Sequence, residues 1–114
     1  MNEHFLSAVA GKLEPGPAEQ LLRDIASSSA QRDGDFVRIK LHGYARPEYT
    51  GHSSLPFEGR LRDCRDGPLR VLVNIDQNCR LLELEFVWWE HSSAGPPDWT
   101  TLEIVPEPQA RALR

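Results

Sequence analysis

Residues 55–90 alternate between apolar and polar side chains in three consecutive runs, and turn-forming residues separate the runs. A period of two is typical of strands that bury one face. The segment therefore predicts a three-stranded antiparallel β-meander, and no other feature restricts the fold as strongly. The apolar positions that share one face are Leu55, Phe57 and Leu61 in the first run, Leu69, Val71, Val73 and Ile75 in the second, and Leu82, Leu84, Phe86 and Trp88 in the third.

The two connections of the meander predict its register. A three-residue loop over 65–67, with its glycine in the left-handed conformation, suits the first connection. A two-residue loop over 77–78 suits the second. Both keep the large apolar groups on one face, whereas a slip of one residue would move them to the other. The expected pairs are Leu61 with Val71, Val73 with Leu82 and, on the polar face, Arg70 with Glu85.

The rest of the chain supplies helices and further strands. Apolar residues at helical spacing predict helices over about 2–13 and 17–31, and alternation predicts one strand before the meander and one after it. The 114 residues are expected to form a single domain, 1–114,. The predicted class is α+β, with both helices packed on one face of a four- or five-stranded antiparallel sheet. The expected strands are 35–42, 55–64, 69–76, 79–90 and 99–105.

Charge is spread unevenly along the chain, whose formal net charge is −4. Residues 36–75 hold seven bases against four acids, whereas residues 76–110 hold seven acids against one base. A net negative chain argues against a general nucleic-acid binder, because such proteins usually carry a basic patch. Either the two halves face and neutralise each other, or the acidic half forms a surface for a basic partner.

Motifs that carry catalysis or hold a metal are not recognisable. The four histidines form no metal spacing with one another or with a cysteine, so no metal and no cofactor is predicted. The sequence has no nucleophile elbow and no glycine-rich phosphate loop. An enzyme would have to depend on His52 or His91 in loops, or on Cys64 near two arginines.

The cysteines and the N-terminus bear on the compartment. The register separates Cys64 from Cys79 by roughly 26 Å at about 3.3 Å per residue, which is beyond the reach of a disulfide. Free thiols fit a reducing compartment. Residues 1–14 lack a basic start followed by an apolar run, and no stretch reaches the roughly 20 apolar residues of a membrane span. We expect a cytoplasmic protein that does not bind a membrane.

A tryptophan among acids marks the polar face of the meander. Trp89 is expected to point away from the core, because its neighbour Trp88 continues the apolar series of the third run and successive strand residues face opposite sides. An exposed aromatic beside acids is typical of a protein-binding hot spot. The other interpretation is that a helix or the loop over 43–54 covers Trp89. The expected partner-binding residues are Glu83, Glu85, Trp89, Glu90 and Asp98.

The stretch from Leu55 to Glu85 resembles a loose class of small bacterial proteins of unknown function. The matching residues are Leu55-Pro56-Phe57-Glu58-Gly59, Asp63, Asp66-Gly67-Pro68, Val71-Leu72-Val73-Asn74-Ile75-Asp76 and Glu83-Leu84-Glu85. The chain departs from the pattern at Asn78-Cys79, where an acid followed by glycine is usual. The resemblance covers about a third of the chain and implies a helical N-terminus on an antiparallel sheet. By type alone, small acidic proteins of this kind include bacterial immunity proteins that neutralise toxins.

Three functions are therefore considered. The first is a non-enzymatic protein that binds a protein partner, like an immunity protein or antitoxin, and places its acidic, Trp-bearing sheet face on a basic toxin domain. The second is a homodimeric structural or small-ligand-binding module that joins through a sheet edge or the Trp89 face. The third is a small enzyme that uses His52, His91 or Cys64.

Overall fold

The computed structural model describes residues 2–88 and 96–107, which form two helices and a seven-stranded antiparallel sheet. The α+β class is confirmed, whereas the expected count of four or five strands is wrong. Neither described helix is long and apolar enough to cross a membrane. The elements are α1 (Asn2–Ala10), α2 (Pro15–Ala26), β1 (Ser28–Asp33), β2 (Phe36–Leu41), β3 (Ser53–Ser54), β4 (Phe57–Asp63), β5 (Pro68–Ile75), β6 (Leu81–Trp88) and β7 (Pro97–Pro106).

The strand order across the sheet is β1-β2-β6-β5-β4-β7. Strands β4, β5 and β6 are neighbours in antiparallel pairs. The short strand β3 also pairs with β5, opposite Asn74 and Ile75, and so lies beside the end of β5 that β4 does not reach. The long loop after β2 therefore ends beside the turn that joins β5 to β6.

The second helix ends at Ala26 rather than near residue 31, and the residues that follow form the edge strand β1. The Ser28 hydroxyl donates to the Ile25 carbonyl at 2.8 Å. Serine side chains that bond to nearby backbone compete with continuation of a helix. Gly34, at φ +61°, then allows the tight turn into β2,. Because β1 is polar and almost fully exposed, it lacks the alternation by which a strand is recognised.

Both registers of the meander differ from the expected ones by two residues. Leu61 lies opposite Leu69 rather than Val71. Val73 lies opposite Leu84 rather than Leu82. Since a shift of two preserves parity, the apolar positions other than Leu82 still share one face.

The side chain of an aspartate at the start of each turn explains the shift. In the first turn, Oδ1 of Asp63 accepts the backbone N–H groups of Arg65 at 2.9 Å and of Gly67 at 2.7 Å. These bonds favour a loop over 64–66, so that Asp66 rather than Gly67 takes the left-handed conformation, at φ 65°,. The second turn has the same plan over 77–79 and is one residue longer than expected.

The longer second turn is accommodated by a bulge in β6. The register changes between Asn74 and Ile75, so that Ile75 faces Leu81 and Leu82 is the extra residue,. Leu81 is therefore buried, at 1% exposed, whereas Leu82, which we expected in the core, is half-buried.

Apolar side chains from both helices and from the sheet form one core. A Cβ built on Gly59 would lie 2.7 Å from the Phe5 ring, so glycine lets α1 approach β4 closely. Full burial of such side chains contributes about 1.5–3 kcal/mol each. The core includes Phe5, Leu6, Val9, Leu21, Val37, Ile39, Leu41, Leu61, Leu69, Val71, Val73, Leu84 and Phe86.

Candidate functional site

An open cleft of about 680 Å³ lies where α2 meets the end of the sheet at which β5 passes into β6. Ligand sites usually measure about 300–1,000 Å³. The link between the helices and the inner side of α2 form one wall, and segment 55–57 with the β5–β6 turn forms the other. Its apolar lining includes Leu13, Leu21, Leu55, Phe57, Ile75 and Leu81.

A buried ion pair borders this cleft and joins α2 to the sheet. The Asp24 side chain, in the cleft wall, is 1% exposed. Its Oδ1 accepts from Nε of Arg80 at 2.9 Å and from Nη2 at 2.8 Å. Its Oδ2 accepts the backbone N–H of Leu81 at 2.9 Å. The hydrogen bond with Asp24 raises the pKa of Arg80. Since a buried carboxylate is stable only when it is paired, these contacts fix the spacing of the two walls.

A second buried carboxylate, Asp76, fixes the turn itself. Its Oδ2 accepts from the Tyr44 hydroxyl at 2.6 Å and from Nη1 of Arg46 at 3.0 Å. Its Oδ1 accepts the backbone N–H groups of Asn78 at 2.9 Å and Arg80 at 3.0 Å. Burial alone would raise the pKa of Asp76, but these hydrogen bonds outweigh it and hold the pKa below its ordinary value. Burial, and then the bond to Asp76, raise the pKa of Tyr44.

The polar face of the sheet brings two carboxylates together. Nδ2 of the fully buried Asn74 donates to Glu83 at 2.8 Å and to Glu85 at 3.2 Å. Glu83 is 3% exposed and also accepts from Nη1 of Arg38. Glu83 is therefore a buried, paired group rather than a free surface charge.

His52 stands beside these carboxylates. One ligand atom from each of His52, Glu83 and Glu85 lies within 4.8 Å of the others. Nδ1 of His52 is 2.9 Å from the hydroxyl of Tyr49, whose side chain is exposed. Sequence spacing did not reveal this cluster, because it forms only when β3 lies beside β5 and β5 lies beside β6.

In the neighbouring part of the polar face, a buried carboxylate is neutralised by arginines of the same sheet. Glu58 is 0% exposed, and Arg70 donates to both of its oxygens, at 2.7 and 2.8 Å. Nε of Arg60 lies 3.5 Å from the same carboxylate. The hydrogen bonds with Glu58 raise the pKa of Arg70. In the observed register Arg70 faces Val87 rather than Glu85, so the expected cross-strand pair is wrong.

The structure unites only part of the expected partner-binding set. Glu83 and Glu85 lie together on β6. Asp98 lies on the edge strand β7, with β5 and β4 between it and β6, and its Oδ1 accepts from the Thr100 hydroxyl at 2.6 Å. Trp89 and Glu90 lie outside the described residues, so the partner-binding surface remains a prediction.

Within the described part of the chain, the structure does not bring the candidate enzyme residues together. His52 lies beside one end of β5, and Cys64 lies in the turn at the other end. His91 lies outside the described residues. Both cysteines are free and exposed. Within residues 2–88 and 96–107, Cys64 therefore does not face His52 as a nucleophile faces its base.

Comparison with known proteins adds no family to this picture. No family model, no curated protein and no solved structure matches the chain. Any function must therefore be argued from the cleft and the polar face alone.

The sequence holds one signal for the cleft, an acid within the apolar stripe of α2. Asp24 follows Leu21 by three residues and so shares the apolar stripe of α2,. An acid in such a stripe indicates a buried partner, here Arg80. The cleft lining itself has no local pattern, since it combines residues from four separate parts of the chain.

Proposed function

We propose that this protein is a non-enzymatic binding module that holds a small apolar molecule in the cleft between α2 and the β5–β6 turn. The observation that carries the proposal is the cleft itself, which has a ligand-sized volume of about 680 Å³ and a largely apolar lining,. Of the functions considered from the sequence, small-ligand binding is the one that this feature supports.

The rigidity of the cleft walls also supports the proposal. The Asp24–Arg80 pair and the bonds to Asp76 fix α2, the turn and the start of β6 relative to one another. A site that is already formed loses less conformational freedom when it binds. Apolar surface removed from water contributes about 0.8 kcal/mol per CH₂ group. The ligand should therefore bind mainly through its apolar body, and Lys12 and Gln20 in the lining offer polar contacts.

Filling the cleft from within tests the proposal. A Cβ on Gly16, in the cleft lining, would meet nothing within 4 Å. Gly16→Phe should therefore add its ring at the cleft lining without a clash, and circular dichroism verifies that the helix start before Pro17 is kept. The matched control is Glu19→Phe, which adds the same ring to an exposed position of α2 that does not line the cleft.

Anilinonaphthalene sulfonate, whose fluorescence rises in apolar surroundings, is the probe. It should bind the folded wild-type protein and the Glu19→Phe variant saturably and with one-to-one stoichiometry, and bind Gly16→Phe at least about tenfold more weakly, a loss of about 1.4 kcal/mol. Equal binding to all three proteins, or no saturable binding to the wild type, would refute the proposal.

The two free cysteines provide a second readout within one molecule. Cys79 lines the cleft, whereas Cys64 lies in the other turn. A saturating amount of the probe should slow the reaction of Cys79 with a disulfide reagent and leave the reaction of Cys64 unchanged. Equal protection of both thiols would place the probe elsewhere.

The second candidate function is binding of a basic protein partner by the acidic sheet face, as an immunity protein would do. The observation that favours it is Tyr49, which is 66% exposed and bonded to the histidine beside Glu83 and Glu85. An exposed aromatic near acids is typical of an interface anchor.

With a purified partner, added salt should slow association. Tyr49→Ala and Trp89→Ala should each weaken binding by about 2 kcal/mol. Association that is insensitive to salt and unaffected by both variants would remove this candidate.

A further inference from the structure

We propose that His52, Glu83 and Glu85 bind one divalent transition-metal ion of the Zn²⁺ type on the polar face of the sheet. One ligand atom from each side chain lies within 4.8 Å of the others. The carboxylates come from alternate residues of β6, and His52 directly precedes β3. Strand β5 lies between them, and Asn74 pairs with Ser54 on one side and Glu83 on the other. This site is independent of the cleft, but it shares Glu83 and Glu85 with the acidic sheet face of the second candidate function.

The charge balance of the cluster favours a cation. Glu83 and Glu85 both accept from the amide of Asn74, so two carboxylates are held close together. Like charges at this range repel unless a cation or a proton lies between them. Arg38 supplies one positive charge, which it shares between Glu83 and Asp33, and Arg70 interacts with Glu85 electrostatically. Among the described residues, the two carboxylates therefore have no cation bound between them. Each carboxylate oxygen has two lone pairs, so the bonds to Asn74 and Arg38 do not prevent coordination.

The groups behind the three ligands are of the kind that supports metal ligands elsewhere. A metal-bound histidine usually donates its other ring N–H to a fixed acceptor, and ligating carboxylates are themselves hydrogen-bonded. With a proton on Nδ1, His52 donates to the Tyr49 hydroxyl across 2.9 Å and leaves the lone pair of Nε2 free. Asn74, which is 0% exposed, orients both carboxylates from below.

The donor set selects the type of ion. One imidazole and two carboxylates suit Zn²⁺ and its first-row neighbours better than Mg²⁺ or Ca²⁺, which prefer oxygen alone. Zn²⁺ takes nitrogen and oxygen ligands at about 2.0–2.2 Å, so the three ligand atoms, which lie within 4.8 Å of one another, would move closer together to bind one ion. Three protein ligands also leave a fourth position open to water or to another ligand.

Zinc titration by calorimetry tests the site. The exposed thiols would bind zinc on their own, so the parent protein is the full chain with Cys64→Ser and Cys79→Ser. It should bind Zn²⁺ saturably at one site and bind Mg²⁺ at least about tenfold more weakly. His52→Ala and Glu85→Gln should each weaken zinc binding by at least about tenfold. His4→Ala, which removes an exposed histidine from α1, should change nothing.

Three results would overturn the proposal. One is the absence of saturable zinc binding by the parent protein. Another is undiminished binding by folded His52→Ala, whose integrity circular dichroism verifies, since His52 is exposed and its loss should not unfold the chain. The third is an equal loss in His4→Ala, which would mean that zinc binds histidines at the surface without a built site. Gly16→Phe should bind zinc normally, so failure of the cleft proposal leaves this one intact.

Discussion

The β4–β5 and β5–β6 turns share one backbone plan. Each begins with an aspartate, Asp63 or Asp76, whose Oδ1 accepts two backbone N–H groups within the turn. Each has a non-glycine residue at positive φ in the fourth position, Asp66 at 65° and Cys79 at 61°. In each, the first residue donates its N–H to the carbonyl of the fifth. Local sequence therefore determines the shape of both turns.

The two turns differ in the ion pairs formed by the arginines beside them. In the β5–β6 turn, Arg80 binds Asp24, whose side chain is 1% exposed. In the β4–β5 turn, Arg62 binds Asp66 at 3.0 Å, but the two side chains are 56% and 78% exposed. The same local motif is thus an element of the cleft in one place and a surface turn in the other. The difference shows that distant contacts, rather than the turn motif, make the β5–β6 turn a rigid wall.

The largest expected effect comes from removing the two arginines. Arg80→Ala leaves Asp24 buried without its cation and should lower the free energy of unfolding by about 3–5 kcal/mol. Arg62→Ala removes an exposed pair and should cost less than about 1 kcal/mol. Urea unfolding of both variants beside the wild type measures the difference. Similar losses of stability in the two variants would show that the two ion pairs stabilise their turns equally, which would contradict the difference proposed between the turns.

The β5–β6 turn should also make the free energy of unfolding depend on pH, through Asp76. Because the folded pKa of Asp76 lies below its ordinary value, the unfolded chain binds the proton more readily. The resulting stabilisation is complete above the ordinary aspartate pKa of about 4 and is lost as pH falls through the folded pKa. Tyr44→Phe removes a hydrogen bond that lowers this pKa, so it should reduce the acid dependence of stability. Arg62→Ala is the control and should keep the wild-type dependence.

At alkaline pH the stability should fall as pH rises, because of Tyr44. The folded pKa of Tyr44 is raised, so its contribution is present below the ordinary tyrosine pKa of about 10 and is lost as pH rises through the folded value. In a Tyr49→Phe background Tyr44 is the remaining tyrosine, and its ultraviolet absorbance should titrate above pH 10. A midpoint at or below the ordinary value would contradict the bond to Asp76.

Sequence reasoning succeeded where the signal was local and periodic. The alternation in 55–90 predicted strands that share an apolar face, because a period of two depends only on neighbouring residues. It missed β1, whose exposed edge position imposes no alternation. It placed both turns incorrectly, because side-chain bonds from Asp63 and Asp76 decide which three residues form each loop. It also treated Leu82 as a core residue, since no local sequence pattern indicates the bulge in β6.

The candidate sites were beyond the reach of a single sequence for a related reason. Glu83 and Glu85 were both expected in the partner-binding set, but His52 joins them only through the pairing of β3 with β5. Asp24 and Tyr44 act through partners far away in the chain, Arg80 and Asp76. Such contacts depend on tertiary placement, which spacing does not reveal.

The smallest expected effect concerns the left-handed residues of the two turns. A cysteine at φ 61° is strained by about 1 kcal/mol or more, whereas aspartate tolerates this region better,. Glycine relieves the strain but adds freedom to the unfolded chain, at a cost of about 0.4–1 kcal/mol. Cys79→Gly should therefore raise the free energy of unfolding by some tenths of a kcal/mol. Asp66→Gly should give no gain, because it also loses the bond from Arg62.

Cys79→Ala separates strain from thiol chemistry, since it removes the sulfur and keeps the Cβ. Urea unfolding should show a gain for Cys79→Gly and none for Cys79→Ala. The departure from an acid followed by glycine at Asn78-Cys79 would then have a measurable cost. If Cys79→Gly instead destabilised the protein while Asp66→Gly did not, contacts of the Cys79 side chain in the cleft wall would outweigh its backbone strain. The two turns would then differ in their strained residues as well as in their ion pairs.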